Sequence, residues 1–209
     1  MHNSEQLMQF RAALSERSEQ YGVKLTPPTT DLLVDYFDVL LHWNERLHLV
    51  APCSPQFFAT RHVLESLLLL DHLTARAHVA DVGSGAGLPI IPCLIARTDI
   101  TGTLIESSPK KSIFLREALK RVNRSSIATV IASPFEKTVL PVVDFVTCRA
   151  LDGFLDKLEQ LYNWSPAEST LLLFGGKSLG DKMKELGYSF EQDQTPNSDQ
   201  RFLYSVRKK

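Results

Sequence analysis

The sequence predicts a mixed α/β fold: a mostly parallel seven-stranded sheet flanked by helices, with a helical appendage in front of it. Three observations lead there. From about residue 77 onward, short apolar and β-branched runs alternate with helical patterns, as in parallel strands joined by crossover helices. Ahead of that point, apolar residues recur only at helical spacing. Later, two strand-like runs, 188–191 and 202–206, are separated only by the polar stretch Gln192 to Gln200, which predicts an antiparallel pair closing the sheet. The expected division is a helical appendage over 1–76 and a main domain over 77–209, together one compact unit.

In order along the chain, Leu7, Phe10 and Leu14 predict a first helix ending before Tyr21-Gly22. Leu32, Leu33, Tyr36, Phe37, Leu40, Trp43 and Leu47 predict a second, following Pro27-Pro28 and capped within Thr29 to Asp31. A third starts at Ser54-Pro55, a good cap and first-turn pair, and runs through Phe58, Val63 and Leu67 towards Leu73. Strands are then expected over 79–82, 102–106, 127–132, 142–148 and 169–174. Helices are expected over 88–97, 108–123, 151–163 and 177–185. No internal repeat or low-complexity tract interrupts the series.

With 209 residues, 44% of them apolar and 22% charged, the composition is that of an ordinary globular chain. The start, Met1-His2-Asn3-Ser4-Glu5, has neither a basic n-region nor an apolar h-region, and the densest apolar run, Leu67 to Leu70, is broken by Asp71. A cytoplasmic protein without membrane association is expected. Cys53, Cys93 and Cys148 are far apart, with no C-x-x-C and no paired histidine spacing, so neither a disulfide frame nor a metal site is expected. A net charge of −1 means that a nucleic-acid partner must be met by a local patch. Candidate patches are Lys110, Lys111, Arg116, Lys120, Arg121 and Arg124 in one helical stretch, and Arg201, Arg207, Lys208 and Lys209; the alternative reading of each is a solvated face.

The chemistry-bearing run is Asp81-Val82-Gly83-Ser84-Gly85-Ala86-Gly87-Leu88-Pro89, lying between an expected strand and an expected helix. Glycines at 83, 85 and 87 allow backbone angles that a Cβ obstructs and let the chain approach a ligand closely. About twenty-five residues on, Glu106 ends the second strand, where a carboxylate can accept both ribose hydroxyls of an adenosine. The dinucleotide fingerprint needs its third glycine at the sixth position, which here is Leu88. G-x-G-x-G preceded by an acidic residue instead resembles the motif of class I S-adenosylmethionine-dependent methyltransferases, which implies their Rossmann-like fold and that cofactor.

Further runs narrow the resemblance. His42-Trp43-Asn44, Arg61-His62-Val63-Leu64-Glu65-Ser66, Asp81 to Pro92, Glu106-Ser107 with Lys110-Lys111 and Phe114-Leu115, Arg149-Ala150, and Arg201-Phe202-Leu203 together resemble the RsmG group, also called glucose-inhibited division protein B. Members methylate N7 of a guanine in 16S ribosomal RNA. The resemblance implies a cofactor site drawn from Asp81, Gly83, Ser84, Gly85, Gly87, Leu88, Glu106, Ser107, Phe135, Glu136 and Arg149. It also implies RNA contacts from Lys110, Lys111, Lys177 and Arg201, and small-subunit ribosomal RNA or the subunit itself as partner, met by a monomer. Phe135, in the loop after the third strand, either packs on the adenine or belongs to the core.

Guanine N7 carries a lone pair and no proton, so its methylation requires positioning and exclusion of water rather than a general base. Amine-methylating enzymes carry an Asn/Asp-Pro-Pro-aromatic run after the fourth strand, where this chain reads Cys148-Arg149-Ala150-Leu151. Arg149 is the candidate catalytic residue, offering a planar fork to guanine O6 or to a phosphate; its alternative is an ion pair at a strand end. Cys148 is weighed as a nucleophile against a packed small hydrophobe. His62, Glu65 and Ser66 share a helix face, either touching ligand or tying the appendage to the glycine loop. The chain departs from the family pattern at His48-Leu49-Val50, Pro134 and Gly175, with Lys177 a substitute for a lysine missing at 175. These departures keep alternatives open: a methyltransferase with another RNA or a small molecule as acceptor, or a cofactor-binding protein without transfer activity.

Overall fold

The computed structural model describes residues 2–151 and 153–208. Met1, counted in the start of the chain, Lys209, counted in a basic patch, and Asp152, within the expected helix 151–163, lie outside them. Helix α1 (His2–Arg17) and α2 (Pro27–Leu47) open the chain. The start of α2 differs from the expected cap. Thr26 is the N-cap, its side chain accepting from the Thr29 amide at 3.4 Å, because proline is tolerated in the first helical turn and Pro27-Pro28 therefore belong to the helix.

The third helical stretch is composite. It runs from α3 (Pro55–Phe57) through a π-helical turn (Phe58–Leu64) and α4 (Glu65–Leu67) to a 3₁₀ turn (Leu68–His72). Ser54 caps it as expected, accepting from the Phe57 amide at 3.1 Å. Its central π turn is absent from any simple periodicity.

The remaining elements are β1 (His78–Val82), α5 (Ile90–Ala96), β2 (Thr101–Ile105), α6 (Pro109–Arg121), β3 (Ala128–Ile131), β4 (Phe145–Arg149), α7 (Phe154–Trp164), β5 (Thr170–Gly176), α8 (Lys177–Glu185), β6 (Phe190–Gln194) and β7 (Arg201–Arg207). The strands form one seven-stranded sheet in the order β3-β2-β1-β4-β5-β7-β6. The first five pair in parallel, and β7 runs antiparallel to both β5 and β6. Strand order reverses between β1 and β4, and a ligand crevice opens at the carboxyl ends of strands beside such a switch point. Val82, Ile105 and Cys148 stand in register there, with Arg149 opposite Phe174.

Alternation along the strands divides the core. Val79, Leu104, Phe145 and Leu172 face the cluster filled by α1, α2, α5, α6 and the composite helix, whereas Ala80, Val146, Cys148 and Leu171 face α7 and α8. The first cluster is continuous from the opening helices to the sheet. Its centre is an aromatic stack in which Phe10 and Phe37 lie 4.4 Å apart, and Phe37 and Phe58 4.9 Å apart, centroid to centroid. Phe58→Ala therefore leaves a cavity where the three opening helical stretches meet, and denaturant unfolding should show a loss of about 3–5 kcal/mol. A loss under about 1 kcal/mol would mean that this stack does not hold the opening helices together.

Candidate active site

The glycine loop leaves β1 with Gly83 at φ 70°, Gly85 at φ 48° and Gly87 at φ 82°, all left-handed. Space adds a second restriction at two of them. A Cβ at Gly83 would stand 2.7 Å from Leu151 Cδ1, and one at Gly87 would stand 2.4 Å from Ile91 Cδ1. At Gly85 it would meet only the Gly83 carbonyl oxygen, at 3.6 Å. Gly85 lines the cleft, so this is a cradle whose open space a side chain would fill.

Several donors fix the loop. The amides of Gly83 and Ser84 donate to the Ile105 carbonyl at 2.9 and 3.1 Å. The Tyr36 hydroxyl reaches from α2 and donates to the Ala86 carbonyl at 2.6 Å. Beneath the loop Asp81 is fully buried, with the Ser84 hydroxyl donating to its backbone carbonyl at 3.0 Å. Burial, reinforced by the nearby charge of Glu106, pushes the Asp81 carboxyl up to about 8.

Glu106 stands across from the loop. Its Oε2 accepts from the Gly85 amide at 2.8 Å and its Oε1 from the Ser108 amide at 2.7 Å. A carboxylate has about four lone-pair sites, so two aligned amides orient it and leave capacity for further donors. Loop and carboxylate share a cleft of about 980 Å³. Its walls are Gly83 to Ala86 with Leu88, Glu106 to Ser108 with Lys111, and Arg149 to Leu151 with Lys157; Leu49 to Ser54, Phe57 and His62 form the lip.

Behind the lip lies a buried ion cluster. Glu65, 1% exposed, faces Arg201 at 2.5 Å, Arg149 at 3.4 Å and Arg61 at 3.6 Å. Burial pushes its carboxyl up to about 7, a rise that the charges of Arg149 and Arg61 oppose without cancelling. Arg149 also donates to the carbonyls of Arg61 at 2.6 Å and His62 at 3.4 Å, and to the Ser66 hydroxyl at 3.3 Å. It thus takes up backbone acceptors of the π turn. His62 beside it is held neutral, lowered to about 4 by burial and then by the charges of Arg149 and Arg61.

The structure brings Gly83, Ser84, Gly85, Leu88, Glu106, Ser107, Lys111 and Arg149 to one cleft. The other residues named from the sequence stand elsewhere. Asp81 lies under the floor, and Gly87 is packed against Ile91, not on the cleft wall. Phe135 is buried against Trp164 with ring centroids 5.2 Å apart, and Glu136 pairs with Lys157 at 3.5 Å; neither lines the cleft, because the short loop after β3 folds its aromatic into the core. Arg149 lines the cleft and also makes a buried ion pair with Glu65 at the end of β4, its guanidinium hydrogen-bonded to the π turn. Arg201 is likewise turned inward to Glu65, because an ionised carboxylate at that depth needs cationic partners. Lys110 and Lys177 are exposed outside the cleft wall. Cys148 is fully buried, its thiol pushed well up by burial, as a packed small hydrophobe.

The departures from the family pattern also find places. Asn44 grips the backbone of Val50 twice, Nδ2 donating to its carbonyl at 3.1 Å and Oδ1 accepting from its amide at 2.9 Å, so the lip is held whatever side chain stands at 50. A Cβ at Gly175 would stand 2.5 Å from Leu179 Cδ2, which leaves no room for a lysine under α8. Lip residues Pro52 and Phe57, together with Lys157, were not legible as site residues, since none belongs to a motif, whereas Leu49 and Val50 lie in the departing run His48-Leu49-Val50.

A family model described as rRNA small subunit methyltransferase G matches residues 29–206. The chain belongs to this family. Among similar proteins called ribosomal RNA small subunit methyltransferase G, that of Clostridium beijerinckii is 30% identical over 95% of this chain and 78% of its own length. That of Anaeromyxobacter dehalogenans is 33% identical over 80% of this chain and 75% of its own. The Chromobacterium violaceum relative matches at 35% over 57% of each chain, so there the chain spans little more than half the relative's length. Solved structures with the same fold include an O-methyltransferase from Bacillus cereus in complex with SAH, with TM-score 0.58, 15% identity and coverage of 83% of this chain and 90% of that one. An S-adenosylmethionine-dependent methyltransferase from Aquifex aeolicus gives TM-score 0.55, 16% identity and coverage of 68% and 88%. They place the chain in the class I, Rossmann-like methyltransferase fold.

Three expectations follow for stability. Gly87→Ala has to displace Ile91 and strain a left-handed backbone, so urea unfolding should report a loss of about 2 kcal/mol or more. His62 binds its proton more weakly folded than unfolded, so protonation favours the unfolded chain below pH 6.5. The stability of wild type minus that of His62→Asn should therefore fall as pH drops from about 6.5 to 4, by no more than about 1.4 kcal/mol per unit. Asp81, raised to about 8, carries the opposite sign: the wild-type minus Asp81→Asn difference should fall as pH rises from 4 to 8.

Proposed function

We propose that this protein transfers the methyl group of S-adenosylmethionine to N7 of a guanine in 16S ribosomal RNA, in the free RNA or in the small subunit. The observation that supports this most is a cleft that joins an adenosine-binding half to an acceptor half without a working base. In the first half, the open cradle at Gly85 and the oriented carboxylate of Glu106 fit the methionine and ribose parts of the cofactor. In the second half, His62 at about 4 is too weak a base to remove a proton near neutral pH, and burial pushes the Cys53 thiol up. An acceptor that already bears a lone pair needs neither.

When bound, S-adenosylmethionine supplies an electrophilic methyl on a sulfonium. The chain's residues do the rest by placement. Glu106 holds the sugar, the glycine loop lies along the amino-acid part, and the apolar lip Leu49 to Pro52 keeps water from the transfer line. Arg149 acts by fixing the π turn that carries His62 and the lip. Lys111 on the cleft wall, with Lys110 and Lys177 outside it, is available to RNA phosphate. Among the described residues no helix is long and apolar enough to cross a membrane. The proposal is completed by action as a monomer in the cytoplasm.

The test is transfer of labelled methyl from S-adenosylmethionine to small subunits and to naked ribosomal RNA from cells lacking the endogenous enzyme, followed by nucleoside mapping. Label on guanine N7 is expected; label on another atom, or on a small molecule only, would replace this acceptor. Glu106→Ala should weaken cofactor binding roughly ten- to hundredfold by calorimetry, and near-native affinity would remove Glu106 from the ribose site.

A further inference from the structure

A second cavity of about 440 Å³ opens behind the lip, and it shares two residues, Ser54 and Phe57, with the main cleft. Phe57 is 47% exposed, in contrast to its neighbour Phe58 at 1%. The Arg61 guanidinium lies over its ring at 5.6 Å and the His62 ring meets it edge-on at 5.9 Å. An aromatic left half bare at the junction of two cavities forfeits the burial that its neighbour enjoys. The second cavity is polar elsewhere: Arg17 and Arg61 face it with Gln56 and Thr60, against one carboxylate, Glu16. Its far side is closed by Asn197 of the β6–β7 connection, held by a hydrogen bond to Tyr21.

On the reading of the main cleft as an RNA methyltransferase site, we propose that this second cavity is a subsite for the nucleotide next to the acceptor guanine, its base stacked on Phe57 and its phosphate held by Arg17 and Arg61. Three features favour RNA as the occupant. The cavity shares Ser54 and Phe57 with the main cleft, its cations outnumber its carboxylates two to one, and it pairs an exposed ring with guanidinium groups, the combination that grips single-stranded nucleic acid without reading its sequence. A base drawn out of a stack for chemistry leaves its neighbour unstacked, and an aromatic at the junction compensates that loss.

Initial rates on small-subunit RNA test this in the full-length protein. Phe57→Ala should raise KM for RNA roughly tenfold, while Arg17→Glu, which lines the second cavity and not the main cleft, should leave kcat at saturating RNA and calorimetric affinity for S-adenosylmethionine unchanged. Phe57→Tyr should restore KM, and Arg17→Glu should raise it and flatten its dependence on salt. An unchanged KM in Phe57→Ala and Arg17→Glu, while the wild type methylates the RNA, overturns the subsite alone. A lower thermal midpoint with weaker cofactor binding in Phe57→Ala assigns the ring to packing and overturns it too. No methyl transfer to ribosomal RNA by the wild type removes the parent reading, and the subsite with it.

Discussion

The buried carboxylate of Glu65 is the constraint on which the site depends. It draws together Arg61 from the π turn, Arg149 from the end of β4 and Arg201 from the start of β7, three parts of the chain far apart in sequence. Removing one partner of such a cluster leaves a buried charge uncompensated, at a cost of about 3–5 kcal/mol. Three guanidinium groups repel one another as well, so the single anion decides where all three stand. The appendage is thereby locked onto the carboxyl edge of the sheet, where the switch in strand order opens the cleft.

The same edge shows a division of labour between backbone and side chains. Backbone amides of Gly85 and Ser108 aim Glu106, and a tyrosine hydroxyl from α2 holds the glycine loop through a carbonyl. Little of the cofactor half relies on flexible side chains. The acceptor half is the reverse, with an apolar lip, a neutral imidazole and exposed lysines around it. Chemistry that asks for positioning and dryness rather than proton transfer suits that arrangement.

Most of the architecture was legible because local chemistry and global packing agree. Strand β1, the glycine loop and Glu106 could be read from spacing and from the backbone freedom that glycine alone supplies, and the resemblance extended over nearly the whole chain. What escaped was long-range. Arg149 and Arg201 read as cations beside the acceptor because nothing local to them reveals a carboxylate buried on a distant helix. Phe135 could have been ligand or core, and the ring it packs against, Trp164 at the end of α7, is distant in sequence. The π turn was hidden because its cause is a guanidinium from β4, not a residue of the turn. Asn44 shows a different limit: it grips a backbone, so the identity of residue 50 carried no information about the contact.

The bond between Glu65 and Arg201 spans 136 positions of sequence. Helix and glycine loop leave the ribosome long before their last cationic partner, and during that interval the carboxylate has only part of its counter-charge. Strand β7 must then slide between β5 and β6, antiparallel to both, before Arg201 can reach it. Completion of the lip is therefore a late event in the birth of each molecule, and a half-made chain that already carries the whole glycine loop and Glu106 does not yet possess a finished cleft.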